Sequence, residues 1–226
     1  MPNPRLLICD SDVLVQHFLP NELRPLQYLK NVYDVQPAIV QEVDVELRWL
    51  GHYGNRFVHS LDKSLKAGLI VRLDKDKFQT LLSTAPPGAS WGSFQSLGAQ
   101  YLGFVDRGEA YTHAAGVVLG MPVASDDFRA IEVLQFQMQS LPSPVLRSFD
   151  LLGFALERGI MSITDCEKVR TCLQKESRWV PRAFKNASVE EGMRNFRLRL
   201  RDASTASSPN LHPPASFSDT LFITRI

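Results

Sequence analysis

The first patterned stretch of the chain, Leu6-Leu7-Ile8-Cys9-Asp10-Ser11-Asp12-Val13-Leu14, is apolar, then acidic, then apolar again. A short continuous apolar run is how a strand buried on both faces reads, which predicts a parallel strand over 5–10. The run ends on carboxylates, and in open α/β sheets ligands collect beyond the carboxyl ends of the strands. A helix is expected over 12–18, with Asp12 as its cap. A turn or two of helix follows over 20–29, interrupted by Pro25, and then a short β-rich strand at 32–35. Pro37 stands at a first helical position. From there Ile39, Val40, Val43 and Leu47 recur at helical spacing, which predicts a helix over 38–49 with Glu42 and Glu46 on one face.

Residues 51–55 read as a turn, and 56–82 as helix in pieces around a strand at 69–73. Pro86-Pro87-Gly88 makes 83–92 a loop. A short helix is expected over 93–101. Val105-Asp106-Arg107-Gly108-Glu109-Ala110 then leads into a small-residue helix over 113–119 that Gly120 ends. Pro122-Val123-Ala124-Ser125-Asp126-Asp127 reads as a further strand ending on two carboxylates. Helix resumes over 128–138, Pro142 and Pro144 mark a boundary, and helices are expected over 145–158, 164–176 and 188–201. Gly159 stops the first of these, and Thr164 with Glu167 makes a capping box for the second. Residues 203–217 are rich in Ser, Pro and Ala and read as a linker. The last stretch, 217–226, regains apolar character as a terminal strand or docking peptide.

Composition narrows this picture only in part. A chain of 226 residues with 44% hydrophobic residues supports one sizeable core with an appended subdomain. The formal net charge of +1 hides a cluster of Arg194, Arg197, Arg199 and Arg201, a candidate phosphate-contacting face whose alternative is a solvated helix. Cys9, Cys166 and Cys172 have no paired metal spacing and read as free thiols of a reducing compartment. No apolar run approaches the roughly 20 residues of a membrane helix. The stretch 1–5 leads into a strand rather than an apolar leader. A cytoplasmic protein with no membrane association is therefore expected.

The chemistry lies in acids placed alike. Asp10 ends a strand, Glu42 sits on a helix, Glu109 opens a helix behind a glycine, and Asp126 and Asp127 end another strand. Carboxylates gathered at one sheet edge repel one another, and burying them unpaired is costly. A hard divalent cation relieves that cost, and oxygen-only ligands suit Mg2+ or Mn2+. Each acid has a plainer alternative. Asp10 would cap the next helix, although Asp12 is better placed for that. Glu42 has a rival in Glu46. Glu109 would be a favourable charge at a helix start. Ser125 hydrogen-bonds a ligand or caps a helix, and the sequence does not choose between Asp126 and Asp127. His52, His59 and His113 read as surface or core histidines, and Trp49, Trp91 and Trp179 as core anchors rather than base-stacking platforms. Lys63, Lys66 and Arg72 are further cations of either role.

Taken in order, these stretches resemble the PIN-domain family. The matching pieces are Leu7-Ile8-Cys9-Asp10-Ser11-Asp12, Gln36-Pro37-Ala38-Ile39-Val40-Gln41-Glu42-Val43, Gly108-Glu109-Ala110 with its Ala-rich helix, and Pro122-Val123-Ala124-Ser125-Asp126-Asp127-Phe128-Arg129-Ala130. The Gly-Glu-Ala form resembles a subgroup in which a helical tail akin to Ser148-Phe149-Asp150-Leu151-Leu152-Gly153 follows the last acid. The second acid in that context is Glu42 rather than Glu46. The resemblance covers about residues 5–160; the middle, 50–100, is longer than in compact members and the tail beyond Gly159 is extra.

That resemblance implies an α/β, PIN-like three-layer fold with a central parallel sheet over 1–145. A mostly helical extension over 146–202 and a flexible tail over 203–226 complete the expected organisation. It implies a Mg2+- or Mn2+-dependent ribonuclease with Asp10, Glu42, Glu109, Asp126 and Asp127 as catalytic and metal-holding acids. An RNA substrate follows, as do an antitoxin protein partner, since many members are toxins of toxin–antitoxin pairs, and a homodimer. Two rival readings remain. Asp10-Ser11-Asp12-Val13 also resembles the nucleophile motif of haloacid-dehalogenase-type phosphatases, in which Asp10 would attack phosphorus and Asp12 would be the acid–base. The long tail suits a non-catalytic PIN-like scaffold that binds a protein.

Overall fold

The computed structural model describes residues 5–50, 55–127, 129–131, 145–178, 180, 185 and 188–191. Its centre is a four-stranded sheet in the order β3-β2-β1-β4, parallel throughout. β1 spans Arg5–Cys9, and Leu6 to Cys9 are all buried, as a strand flanked on both sides and both faces requires. It pairs with β2, Val35–Val40, in the register Leu7↔Pro37, and with β4, Val123–Ala124, in the register Ile8↔Val123. β3, Val71–Leu73, lies outside β2. Beyond β4, Ala124 bridges in parallel to Leu146, which continues the sheet by one contact.

Nine helices are described. They are α1 (Ser11–Phe18), α2 (Arg24–Tyr33), α3 (Gln41–Trp49), α4 (Arg56–Lys66), α5 (Lys75–Leu81), α6 (Trp91–Tyr101), α7 (Arg107–Leu119), α8 (Ser148–Glu157) and α9 (Ile163–Lys175). α2 packs on β2, and α7 on β1, β2 and β4. The arrangement is α/β and compatible with three layers. α8 packs on α1 and α2, where the rings of Tyr28 and Tyr33 lie 5.9 and 5.6 Å from that of Phe154. Phe149, Phe154, Leu173 and Val189 join the same buried cluster as the sheet. No helix among the described residues is long and apolar enough to cross a membrane.

Several elements differ from the sequence expectation. β2 runs over 35–40 rather than 32–35, because α2 continues to Tyr33 and closes at Asp34 in the left-handed region (φ 52°). Pro37 therefore sits inside a strand, and the following helix starts at Gln41 rather than 38. β3 begins only opposite Ala38, so at Pro37 the strand is still an edge on that side, where a proline is tolerated. Pro25 lies in the first turn of α2 and opens that helix instead of interrupting it. α7 starts at Arg107, well before 113, because Gly108 to Gly116 is buried along its whole length. The capping box of α9 is Ser162 with Asp165, not Thr164 with Glu167. Trp49, expected in the core, is 82% exposed.

The turn at 51–54, most of the 128–138 helix, Pro142, Pro144 and Trp179 lie outside the described residues. So do His52, Arg194, Arg197, Arg199, Arg201 and the tail 203–226.

One glycine is a packing requirement. A Cβ on Gly116 would stand 2.2 Å from Val123 Cγ2 and 3.2 Å from the Met121 carbonyl oxygen, so α7 reaches β4 only without a side chain there. Gly116→Ala should destabilise the protein by about 1–3 kcal/mol, the usual cost of overpacking a filled core. Urea unfolding measures it; unchanged stability would show that α7 does not lie this close to β4.

Candidate acidic site at the switch point of the sheet

From β1 the chain builds the sheet outward to β2 and β3, then returns to the other side of β1 as β4. The strand order reverses there, and crevices of open α/β sheets form beyond the strand ends at such a point. Asp10 follows β1 and Ser125-Asp126-Asp127 follow β4, so both acid-bearing loops leave the sheet at the same edge. A hydrogen bond of 2.8 Å from Asp10 N to Ala124 O ties them together.

Asp10 is the most constrained of these acids. It occupies the N-cap of α1 in extended conformation, yet its side chain makes no capping hydrogen bond. The residue is 1% exposed, and its Oδ1 has no hydrogen-bond partner. Burial drives its pKa well above the usual carboxylate range, and the charges of Glu46, Asp12 and Asp126 push the same way. A capping role accounts for none of this.

Glu46, not Glu42, is the helix α3 acid that reaches Asp10. Two contacts set the phase of α3. Asp44 is buried and pairs with Arg72 of β3 at 3.1 Å and with Arg48 at 3.0 Å, while Val43 and Leu47 enter the core. Glu46 is left facing α1 and α7. Ser11 Oγ donates to Glu46 Oε1 at 2.8 Å. On the other side stands Gly108, where a Cβ would lie 2.2 Å from Glu46 Oε2 and 3.4 Å from Asp10 Oδ1. The glycine before Glu109 is thus the space into which the Glu46 carboxylate fits. Burial raises the Glu46 pKa, against the Ser11 hydrogen bond, with Asp12 and Asp106 adding repulsion. Glu42, one turn earlier, lines a separate cleft with Trp91 and Arg107.

Glu109 lies in the first turn of α7 and is 8% exposed. Burial, the charge of Asp10, the charge of Asp127 and a hydrogen bond with Asp127 raise its pKa to about 9. A helix-start charge alone would have the opposite tendency. The two acids after β4 divide their work. Asp126 Oδ2 accepts from Gln16 Nε2 at 2.8 Å and Oδ1 from Ser148 N at 3.0 Å, with Arg147 Nε at 3.8 Å. It joins β4 to α1 and α8. Asp127 faces Glu109 and accepts from Ala130 N at 2.9 Å, and Ser125 Oγ accepts from Asp127 N at 3.3 Å.

The remaining candidates stand aside from these oxygens, although the charge of Asp12 reaches Asp10 and Glu46. Asp12 pairs with Arg178. His113, one turn beyond Glu109, is fully buried with neither ring nitrogen bonded, and burial lowers its pKa to about 4. His59 is exposed. Among the described residues, no three His, Cys, Asp or Glu side chains are already spaced to hold one ion. The donor chemistry nevertheless fits a hard divalent cation: carboxylate oxygens only, one of them buried without a partner.

Sequence reasoning weighed Glu46 only as the rival of Glu42 and gave no site role to Ser11, Asp150, Arg147 or Arg178. The true end of β2 at Val40 was the missing signal, because it moves the start of α3 and places Glu46 level with Gly108. Asp150 caps α8 by accepting from Arg147 N at 2.8 Å, and its burial raises its pKa to about 7.

These shifts have a sign. The folded protein keeps protons on Glu109 up to about pH 9 and on Asp150 up to about 7, whereas the unfolded chain loses them near 4.5 and 3.8. Folded stability from these groups is therefore lost as pH rises through that window. The buried histidines His17 and His113, both lowered to about 4, act oppositely but only below about 6.5. Without divalent cation, the melting temperature should fall between pH 6.5 and 9, and Glu109→Gln should flatten that fall. A melting temperature that rises across the window would contradict the buried cluster. No protein-family model and no curated protein matches the sequence.

Proposed function

We propose that the protein is a Mg2+- or Mn2+-dependent ribonuclease of the PIN type, with Asp10, Glu46, Glu109 and Asp127 as its working acids. The observation that carries the reading is the buried, unpartnered Oδ1 of Asp10 at the switch point of a parallel sheet, crowded by further carboxylates. The order of the four acid-bearing stretches, which resembles PIN domains, supports it.

A divalent cation, when bound, supplies a water of lowered pKa and positive charge against a phosphodiester. The chain's own residues prepare for that charge. Asp10 offers a desolvated oxygen, Oδ1, that has no hydrogen-bond partner. Ser11 holds the Glu46 carboxylate toward Asp10, and Gly108 leaves it room. Glu109 retains its proton at neutral pH while no positive charge is near, and releases it when one arrives. Asp126 supports the cluster from behind, with both oxygens already held by Gln16 and Ser148.

The phosphatase reading needs Asp12 as an acid–base. Asp12 is instead paired with Arg178, which disfavours that role.

Purified protein with Mn2+ should cleave labelled single-stranded RNA. Asp10→Asn and Glu46→Gln should each slow cleavage by roughly 10²–10³-fold, the range for losing one group that stabilises transition-state charge. Cleavage at the wild-type rate by Asp10→Asn would rule out this site. Absence of cleavage in every protein would favour the non-catalytic scaffold.

A further inference from the structure

Beside the acids lies a cleft of about 430 Å3 between α3, α6 and the start of α7, a volume in the range of small-ligand sites. We infer that this cleft is a nucleobase subsite that selects guanine in a single-stranded RNA; the inference deepens the ribonuclease reading and takes its substrate class from it.

Three features argue for a base. Trp91 and Phe94 line the cleft. Trp91 is held edge-on against Phe78 (centroids 5.4 Å apart) and tilted against Phe94 (5.1 Å), so a half-buried ring is fixed in place at the cleft wall. A rigid aromatic surface is what an unstacked base packs against. Glu42 and Arg107 line the same cleft without forming an ion pair, although they carry opposite charges. The Arg107 guanidinium lies 5.7 Å over the Tyr111 ring instead. Gln41 and Gln95 also line the cleft, and their side-chain amides bond nothing among the described residues. A pair of unlike charges held apart fits a ligand with a donor edge at one end and a phosphate at the other.

The donor edge points to guanine. A carboxylate accepts two parallel N–H groups. Guanine presents adjacent N1–H and N2–H donors; uracil, cytosine and adenine each present a donor next to an acceptor. Glu42 is thereby matched to guanine, and Arg107 to the phosphate of the same nucleotide.

The cleft is also placed correctly. Glu42 stands one helical turn before Glu46, about 6 Å along the axis. Arg107 adjoins Gly108, which lies against both Glu46 and Asp10. A base in the cleft therefore lies on the same helix α3 and beside the same α7 start as the acids. Glu42, expected from sequence to hold metal, acquires the task of reading a base.

Binding is measured on the full chain in EDTA, so that it does not depend on metal or cleavage. GMP should quench tryptophan fluorescence and bind about tenfold or more tighter than AMP, CMP or UMP. Glu42→Gln should abolish that preference, and Arg107→Ala should weaken GMP but not guanosine. Trp91→Phe should lose the quench while calorimetry still detects binding. The RNA UUGU should bind at least as tightly as GMP, and inosine in place of its guanosine should weaken it. Equal binding of all four nucleotides, an unchanged preference in Glu42→Gln, or UUGU binding no tighter than UUUU would overturn the subsite. A protein that cuts RNA yet fails these tests loses only the subsite. One that passes them but cuts nothing keeps the guanine site and loses the nuclease reading.

Discussion

A carboxylate that cannot be hydrated is the constraint on which this structure turns. Asp10 sits at the end of the central strand, closed off from solvent, with Glu46, Asp12 and Asp126 as its charged neighbours. An isolated buried ion costs several kcal/mol, and like charges nearby raise that cost. Only two resolutions exist. The site holds protons, as the raised pKa values of Asp10, Glu46 and Glu109 describe, or it holds a cation. The same burial that makes the metal-free cluster take up protons makes it a strong attractor of positive charge.

The rest of the fold supplies a frame in which that crowding persists. Charges that serve the frame are paired: Asp44 with Arg72 and Arg48, Asp126 with Arg147, Asp12 with Arg178. The first of these fixes the rotation of α3 against β3 and so aims Glu46. The second ties β4 to α8, and the last ties α1 to the segment after α9. The absence of a side chain at Gly108 lets α3 and α7 approach closely enough for Glu46 and Asp10 to share one space. Carboxylates that serve the frame have cationic partners, whereas Oδ1 of Asp10 has no partner at all.

How much of this the sequence discloses depends on the kind of signal. The first strand was legible because its apolar run is short and stops directly on carboxylates, and Asp10 followed from it. The acids after β4 were legible because the short stretch Pro122-Val123-Ala124 likewise ends directly on carboxylates. The choice between Asp126 and Asp127 was not, since adjacent residues point differently only once Gln16 and Ser148 have claimed one of them. β2 was misplaced because Pro37 and helical spacing from Ile39 outweighed a buried run whose strand character is set by its neighbours. That error favoured Glu42 over its rival Glu46: residues four apart share a helix face, and only the height of the helix decides which reaches the site. The partners of Asp44, Asp12 and Asp126 come from distant segments and leave no local trace.

The central claim is that the buried carboxylates exchange protons for a divalent ion. Calorimetric titration of the metal-free protein with Mn2+ at neutral pH, in buffers of different ionisation enthalpy, counts the protons released on binding. The account predicts Mn2+ binding with net proton release that shrinks when Glu109 is replaced by Gln. Binding without proton release, or no binding at all, would contradict it.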